Sequence, residues 1–207
     1  MARTGDASAE LAAQLAALSA QWGVPCSPAQ TSQLRAFGEL LLRWSGRINL
    51  TGARSAGALI KDHYPDAFAL ARRLDRPARV VDIGSGGGLP ALPLALLRPG
   101  LTLRLIEPIA KKVSFLRTAI RELDLPGRVQ VEQTRGEEVA SLEARFDVAI
   151  SRATFEPEAW LALGRRLVVP GGRVYVLTVP GSSVTGQVDL YGGGRRALIE
   201  VSVQQAG

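Results

Sequence analysis

Cysteine and histidine are almost missing from this sequence of 207 residues. Cys26 is the only cysteine, which excludes an intrachain disulfide and a thiolate metal cluster. His63 is the only histidine, which excludes histidine-rich metal sites and most Ser-His or Cys-His catalytic machinery. We therefore expect no bound metal, and a reducing compartment suits such a chain.

Long apolar runs are missing as well. No stretch approaches the length of a membrane helix, and residues 1–5 lack the pattern of a signal peptide. Hydrophobic residues make up 46% of the chain, an ordinary fraction for a folded protein. We expect one structural unit with a cytoplasmic location.

Lysine is scarce, yet the chain is basic. Lys61, Lys111 and Lys112 are the only lysines, so arginine supplies the other positive charges. The net charge is +6 at pH 7. A basic surface favours phosphate-rich partners and makes their binding sensitive to salt. A biased genome would also favour arginine over lysine, so the charge alone leaves both explanations open.

Glycine, by contrast, is concentrated in residues 84–88, which read GSGGG. The β-branched residues before them predict a buried strand, and residues 89–97 predict a helix, so backbone N–H groups at the loop can face a ligand. A dinucleotide fingerprint needs a glycine at Leu89, whereas an acid two residues before GxGxG is typical of methyltransferases that use S-adenosylmethionine (SAM). A glycine-rich turn without a ligand is the alternative. The residues expected to bind the cofactor here are Asp82, Gly84, Gly86 and Leu89.

Four further residues, at or after the ends of predicted strands, complete the expected cofactor site. Glu107 ends the strand over residues 101–106, where an acid can accept hydrogen bonds from ribose hydroxyls, although it could instead cap a helix. Gly136 and Glu137 follow the strand over residues 129–132, where methyltransferases commonly hold the adenine. The alternative is that the pair Glu137-Glu138 caps a short helix. Arg152 ends the next strand and can contact the cofactor or a phosphate, or form a surface ion pair.

The phrase DIGSGGGLPALPLALL resembles the family that methylates N7 of a guanine in bacterial small-subunit ribosomal RNA, also called glucose-inhibited division protein B (RsmG). Pro90 and Pro93 match the two prolines of the family phrase D-V-G-[ST]-G-x-G-[FL]-P-G-[IL]-P-L, and Ala91 replaces its glycine. Further matching phrases are Asn49-Leu50-Thr51, His63 with Asp66, Lys111 to Leu116, and Ile150-Ser151-Arg152-Ala153.

The carboxyl end departs from this family. Residues 178–181 read TVPG where the relatives carry Lys-Gly, and only a short Gly- and Ser-rich stretch follows where they have a helix. The resemblance covers residues 34–173 well.

The resemblance implies SAM-dependent methylation of guanine N7 in 16S ribosomal RNA by a chain assumed to act as a monomer. It names no catalytic acid or base, because N7 already carries a lone pair. It places His63 and Asp66 on the substrate side, and the basic charge adds Arg195 and Arg196 as RNA contacts. Two alternatives are a SAM-dependent methyltransferase for a small molecule or protein, and a non-catalytic relative that binds RNA or SAM.

Strands alternating with helices predict an α/β fold with a doubly wound, mainly parallel, Rossmann-like sheet. A helical cap over residues 1–76 is expected to pack on a methyltransferase domain over residues 77–207. Within the cap, apolar periodicity predicts helices over residues 10–22, 27–45 and 55–73. A final antiparallel hairpin is expected around Gly192-Gly193-Gly194.

Overall fold

The computed structural model describes residues 3–135 and 142–204, with side chains from residue 9 onward. The strands in chain order are β1 (Ala78–Ile83), β2 (Leu101–Ile106), β3 (Val129–Glu132), β4 (Phe146–Arg152), β5 (Val168–Thr178), β6 (Gln187–Tyr191) and β7 (Arg196–Ser202). The helices are α1 (Arg3–Trp22), α2 (Pro28–Ser45), α3 (Ala56–Asp62), α4 (Tyr64–Arg73), α5 (Ala91–Leu97), α6 (Ala110–Glu122) and α7 (Pro157–Leu167).

The seven strands form one sheet in the order β3-β2-β1-β4-β5-β7-β6. Strands β1 to β5 pair in parallel, while β7 pairs antiparallel with both β5 and β6. The order reverses between β1 and β4, the point at which an open parallel sheet leaves a crevice for ligands. The predicted α/β fold with a closing hairpin is confirmed.

Apolar side chains cover both faces of this sheet. One face packs against α5 and α6, which follow β1 and β2, and against the helices of the amino-terminal part. The other face packs against α7, with Trp160 and Leu167 in its core. Because alternate residues of a strand face opposite sides, Val80 lies in the first core and Val81 in the second.

The first two helices follow local signals in the sequence. Ser27 caps α2 through a reciprocal pair of bonds with Gln30, and Pro28 occupies the first helical turn, as predicted. Gly23 adopts a φ of +61° just after α1, which explains why that helix stops at Trp22. The start was predicted wrongly at Glu10, since α1 begins at Arg3.

The single helix predicted over residues 55–73 is also wrong, because the chain breaks at His63 into α3 and α4. Pro65 is the physical reason. It has no N–H to donate to the carbonyl of Lys61, and in a continuous helix its ring would clash with that carbonyl, so it is accommodated in the first turn of α4 instead. His63 adopts φ −125° and ψ −36° and so sits at a corner between two helices, next to the carboxyl ends of the strands.

The helices α1 to α4 share a continuous hydrophobic core with α5, α6 and the sheet. The division into a cap over residues 1–76 and a domain over residues 77–207 stays a prediction. Among the helices of the described chain, none is both long and apolar enough to span a membrane.

Tyr64 ties α4 to α2 inside this core. Its side chain is fully buried, and its hydroxyl donates to the carbonyl of Leu34 at 2.7 Å. We expect Tyr64→Phe to lower the free energy of unfolding by about 1 kcal/mol, because one buried hydrogen bond is lost with little change in packing. Urea denaturation with an unchanged m-value would measure it, and an unshifted midpoint would contradict it.

Candidate active site

A cleft of about 740 Å³ opens at the carboxyl ends of β1, β4 and β5. Parallel strands bring these ends together, so segments far apart in sequence meet there. Besides the glycine loop, the cleft is lined by the segments that follow β4 and β5 and by side chains from α4 and the closing hairpin. These include Ser151, Arg152, Thr154, Phe155, Thr178, His63, Asp66, Tyr191 and Arg196.

Glycine is required at two positions of the glycine loop for different physical reasons. At Gly84 the φ is +75°, and a Cβ would collide with the side chain of Thr154, so the loop lies directly against the segment after β4. At Gly86 the φ is +55°, but a Cβ would meet no protein atom closer than the Gly84 carbonyl oxygen at 3.8 Å. Gly86 therefore leaves room in the cleft that a side chain would fill.

Glu107 holds the glycine loop in place. Its carboxylate is 3% exposed, and one oxygen accepts the N–H of Gly86 at 2.8 Å while the other accepts the N–H of Ile109 at 2.9 Å. The N–H groups of Gly84 and Ser85 donate to the carbonyl of Ile106, which fixes the loop to the end of β2. Sequence reasoning did not identify this bond to Gly86, because the two residues lie 21 positions apart.

Asp82 is a buried carboxyl group with an unmatched oxygen. The residue is 1% exposed, and its Oδ2 finds no hydrogen-bond partner within the described residues. Burial raises the pKa of this carboxyl to about 7 from an ordinary value of 3.8. Asp82 lies two residues before the glycine loop, so the sheet holds a group that is costly to ionise beside the cleft.

His63 and Arg152 meet at the end of β4. Arg152 Nη1 donates to Asp66 Oδ2 at 2.9 Å and lies 3.1 Å from His63 Nδ1. Because an arginine can only donate, Nδ1 accepts and the ring carries its proton on Nε2, 3.3 Å from the Thr51 hydroxyl. Burial first, and then the neighbouring Arg152 charge, lowers the pKa of His63, which favours this neutral ring.

The closing hairpin contributes two more donors to Asp66. Tyr191 donates its hydroxyl to Oδ1 at 2.8 Å, and Arg196 Nη1 donates to the same oxygen at 3.0 Å. Tyr191 was not identified from the sequence. The one feature of the sequence that marks Tyr191 is its position next to the Gly192-Gly193-Gly194 turn. That position does not indicate a hydrogen-bond partner 125 residues earlier.

Phe155 gives the cleft an aromatic wall, and it too was not identified from the sequence. Its ring stacks on Trp160, with centroids 6.1 Å apart and planes 17° apart. Trp160 is fixed in turn, because its indole N–H donates to the carbonyl of Tyr175 at 2.8 Å. The available signal was an aromatic residue three positions after the end of β4.

The structure brings most of the predicted site residues together, although their roles stay predictions. Those that line the cleft are Gly84, Gly86, Leu89, His63, Asp66, Arg152 and Arg196. Asp82 and Glu107 lie buried beside the loop. Arg195 is exposed, donates to the Gly192 carbonyl at 3.2 Å and is not a lining residue. Gly136 and Glu137 lie outside the described residues.

The raised pKa of Asp82 predicts a pH-dependent cost to folding. Between about pH 4 and 7 the folded chain holds a proton that the unfolded chain has released, so stability falls as pH rises through this window. Asp82→Asn removes the ionisation, so we expect its stability to exceed that of wild type by up to about 4 kcal/mol above pH 7. The difference should shrink toward pH 4.

Thermal unfolding of both proteins at pH 4, 6 and 8 measures this effect. A difference in stability that is constant across these pH values would mean that Asp82 does not titrate in the window.

Comparisons with known proteins agree with this arrangement. The model of the family described as rRNA small subunit methyltransferase G matches residues 30–184. A ribosomal RNA small subunit methyltransferase G from Anaeromyxobacter sp. strain Fw109-5 is 36% identical over 169 residues, covering 82% of this chain and 77% of the relative. A protein of the same name from Aromatoleum aromaticum is 40% identical over 158 residues, covering 74% of each.

A solved structure extends the likeness to the fold. An O-methyltransferase family protein from Burkholderia thailandensis has a TM-score of 0.56 and 16% identity, covering 84% of this chain and 60% of that one. At this identity the likeness concerns the fold alone. The sequence matches carry the assignment, and the chain belongs to the rRNA small subunit methyltransferase G family.

Proposed function

We propose that this chain transfers a methyl group from SAM to N7 of a guanine in 16S ribosomal RNA. The observation that carries the proposal is the cleft itself. A glycine loop with open space at Gly86 forms one half, and an aromatic and cationic wall forms the other. Because the substrate belongs to the ribosome, the proposed place of action is the cytoplasm.

The residues around β1 and β2 fit the cofactor. The N–H groups of Gly84, Ser85 and Gly86 are already bonded within the protein, so the glycine loop offers the cofactor mainly the open space at Gly86. The carboxyl groups of Asp82 and Glu107 lie buried beside this loop. Glu107 can accept ribose hydroxyls only through lone pairs left over from its bonds to Gly86 and Ile109. SAM, when bound, supplies a methyl group activated by a positively charged sulfur.

The residues around β4 and β5 fit the base. Phe155 offers a ring face for stacking, a contact worth about 1–3 kcal/mol per base and indifferent to its identity. A guanine has to leave its stack to reach a cleft at the carboxyl ends of strands, and such a wall would receive it.

Methylation of N7 suits the side chains that line the cleft. N7 carries a lone pair and no proton, so the transfer needs alignment of donor and acceptor more than a base. His63, the single histidine, has a lowered pKa that favours the neutral ring. Its ring nitrogens contact Arg152 and Thr51, so it helps to position Arg152 and is not assigned the role of a base. The chain is thus expected to act by positioning.

Cations extend beyond the cleft. Arg47, Lys111 and Lys112 line an adjoining depression of about 300 Å³, and Lys112 also lines the cleft. A continuous basic surface of this kind can follow an RNA backbone, and the net charge of +6 supports long-range attraction. This basic rim favours RNA over a small molecule as the substrate.

A methylation assay tests the proposed function. Small ribosomal subunits and naked 16S RNA from a strain that lacks this gene are incubated with the purified protein and labelled SAM. We expect label in a single 7-methylguanosine. Binding of SAM without RNA methylation would overturn the proposal and favour a different methyl acceptor or a non-catalytic role.

Gly86→Val tests the cofactor half separately. The side chain would enter the open space of the cleft, so we expect calorimetry to find no SAM binding by a protein that remains folded. Gly193→Val is a matched control. That glycine has a φ of +69° and equally open surroundings, but it lies in the hairpin turn outside the cleft.

If both variants lose SAM binding, strain in the backbone rather than the cleft explains the loss. If neither does, the glycine loop is not the cofactor site.

A further inference from the structure

Two arginines share one buried carboxylate at the edge of the cleft. Asp66 is 3% exposed and accepts Arg152 on one oxygen and Arg196 on the other. With His63 neutral, this cluster carries one net positive charge. This excess of positive charge favours an anion at the cluster.

Both arginines have side-chain nitrogens that are not used by the described residues. Each uses only Nη1 within the described residues, which leaves the edge formed by Nε and Nη2 without a protein partner. Elsewhere in this chain the same edge holds a carboxylate with two bonds: Arg73 binds Asp189 in this way, and Arg79 binds Asp147. Such a fork fits a phosphate equally well.

The cluster is accessible from the substrate half of the sheet. The side chains of Arg152 and Arg196 are 26% and 32% exposed, and both residues line the cleft. They lie at the end of β4 and the start of β7, on the opposite side of the sheet reversal from Glu107 on β2. An anion bound there would lie in the half of the cleft proposed for the base, away from the half proposed for the ribose of the cofactor.

Neighbouring groups hold the two forks in position. Tyr191 donates to Asp66 between the arginines, and its ring packs edge-on against Trp22 at 5.4 Å. His63 holds Arg152 from the other side and is itself bonded to Thr51. Guanidinium groups that are already fixed lose less conformational entropy when they bind an anion, so the site is preorganised.

We propose that Arg152 and Arg196, held by Asp66, bind one backbone phosphate of the RNA beside the guanine that is methylated. This inference rests on the proposed function and adds a phosphate contact to it. Tyr191 and His63 are positioning residues in this account. The contact places the nucleotide through its backbone and is independent of the identity of the base.

The test compares Arg196→Ala with Arg79→Ala. Both changes remove one guanidinium and one ion pair to an aspartate, but Arg79 lies at the amino-terminal start of β1, away from the cleft. The KM and kcat for small ribosomal subunits are measured at several salt concentrations, together with the SAM affinity by calorimetry.

For Arg196→Ala we expect the KM for subunits to rise tenfold or more, with SAM affinity within twofold of wild type. The slope of log affinity against log salt should flatten by about 0.7, the share of one phosphate contact on single-stranded RNA. Arg79→Ala should change none of these values.

Two further variants separate binding from folding. Arg196→Lys keeps the charge without the fork, so it should recover the salt slope and only part of the KM. Tyr191→Phe removes one bond to Asp66 without removing charge, so it should lower thermal stability and leave the salt slope unchanged.

The outcomes distinguish the possible failures. If wild type methylates subunits and Arg196→Ala behaves as Arg79→Ala does, the arginines serve only to fasten the hairpin and the inference is overturned. If Arg196→Ala weakens SAM and leaves the KM for RNA unchanged, the anion is the carboxylate of the cofactor. If wild type methylates no RNA, the proposed function itself fails.

Discussion

The layout of the cleft depends on the burial of one charge. Removing a carboxylate from water is costly unless hydrogen bonds and opposite charges replace the water. Asp66 receives these from Arg152, Tyr191 and Arg196, which belong to β4, β6 and β7. The need to satisfy one side chain on α4 therefore draws the amino-terminal helices, the middle of the sheet and the closing hairpin to the same place.

The other half of the cleft is organised through the backbone. Main-chain bonds from Gly84 and Ser85 to the end of β2 fix the start of the glycine loop, and Glu107 fixes Gly86. The loop is thus held in a fixed shape, and at Gly86 it leaves open space in the cleft. One half is shaped by main chain and small residues, and the other by large polar and aromatic side chains.

Local patterns in the sequence predicted most of the fold. Apolar periodicity, glycine and proline identified the order of strands and helices, the glycine loop and the closing hairpin. The break at His63 was missed because the apolar spacing continues across Pro65, and here the lost backbone bond outweighed the periodicity. The early start of α1 was missed because polar residues precede its apolar face.

The sequence could predict residues of the candidate site only where each of them lies at the end of a single strand. Asp82, Glu107 and Arg152 were found because parallel strands bring their carboxyl ends together. The contacts between them depend on the packing of distant segments, so nothing in the sequence linked Asp66 to Arg196 across 130 positions. The sequence left open whether Arg152 forms an ion pair or contacts a ligand. In the structure it forms an ion pair with Asp66 and also lines the cleft, so the two interpretations do not exclude each other.

The hairpin follows α4 and β4 in the chain, and this order has a consequence for biosynthesis. A ribosome makes α4 and β4 well before residues 187–202, and amino-terminal parts of a chain begin to fold first. Until the hairpin docks, Asp66 lacks two of its three donors and the cleft lacks one wall. A nascent chain of this protein therefore cannot form its complete cleft until residues 187–202 have left the ribosome, however early the other walls of the cleft fold.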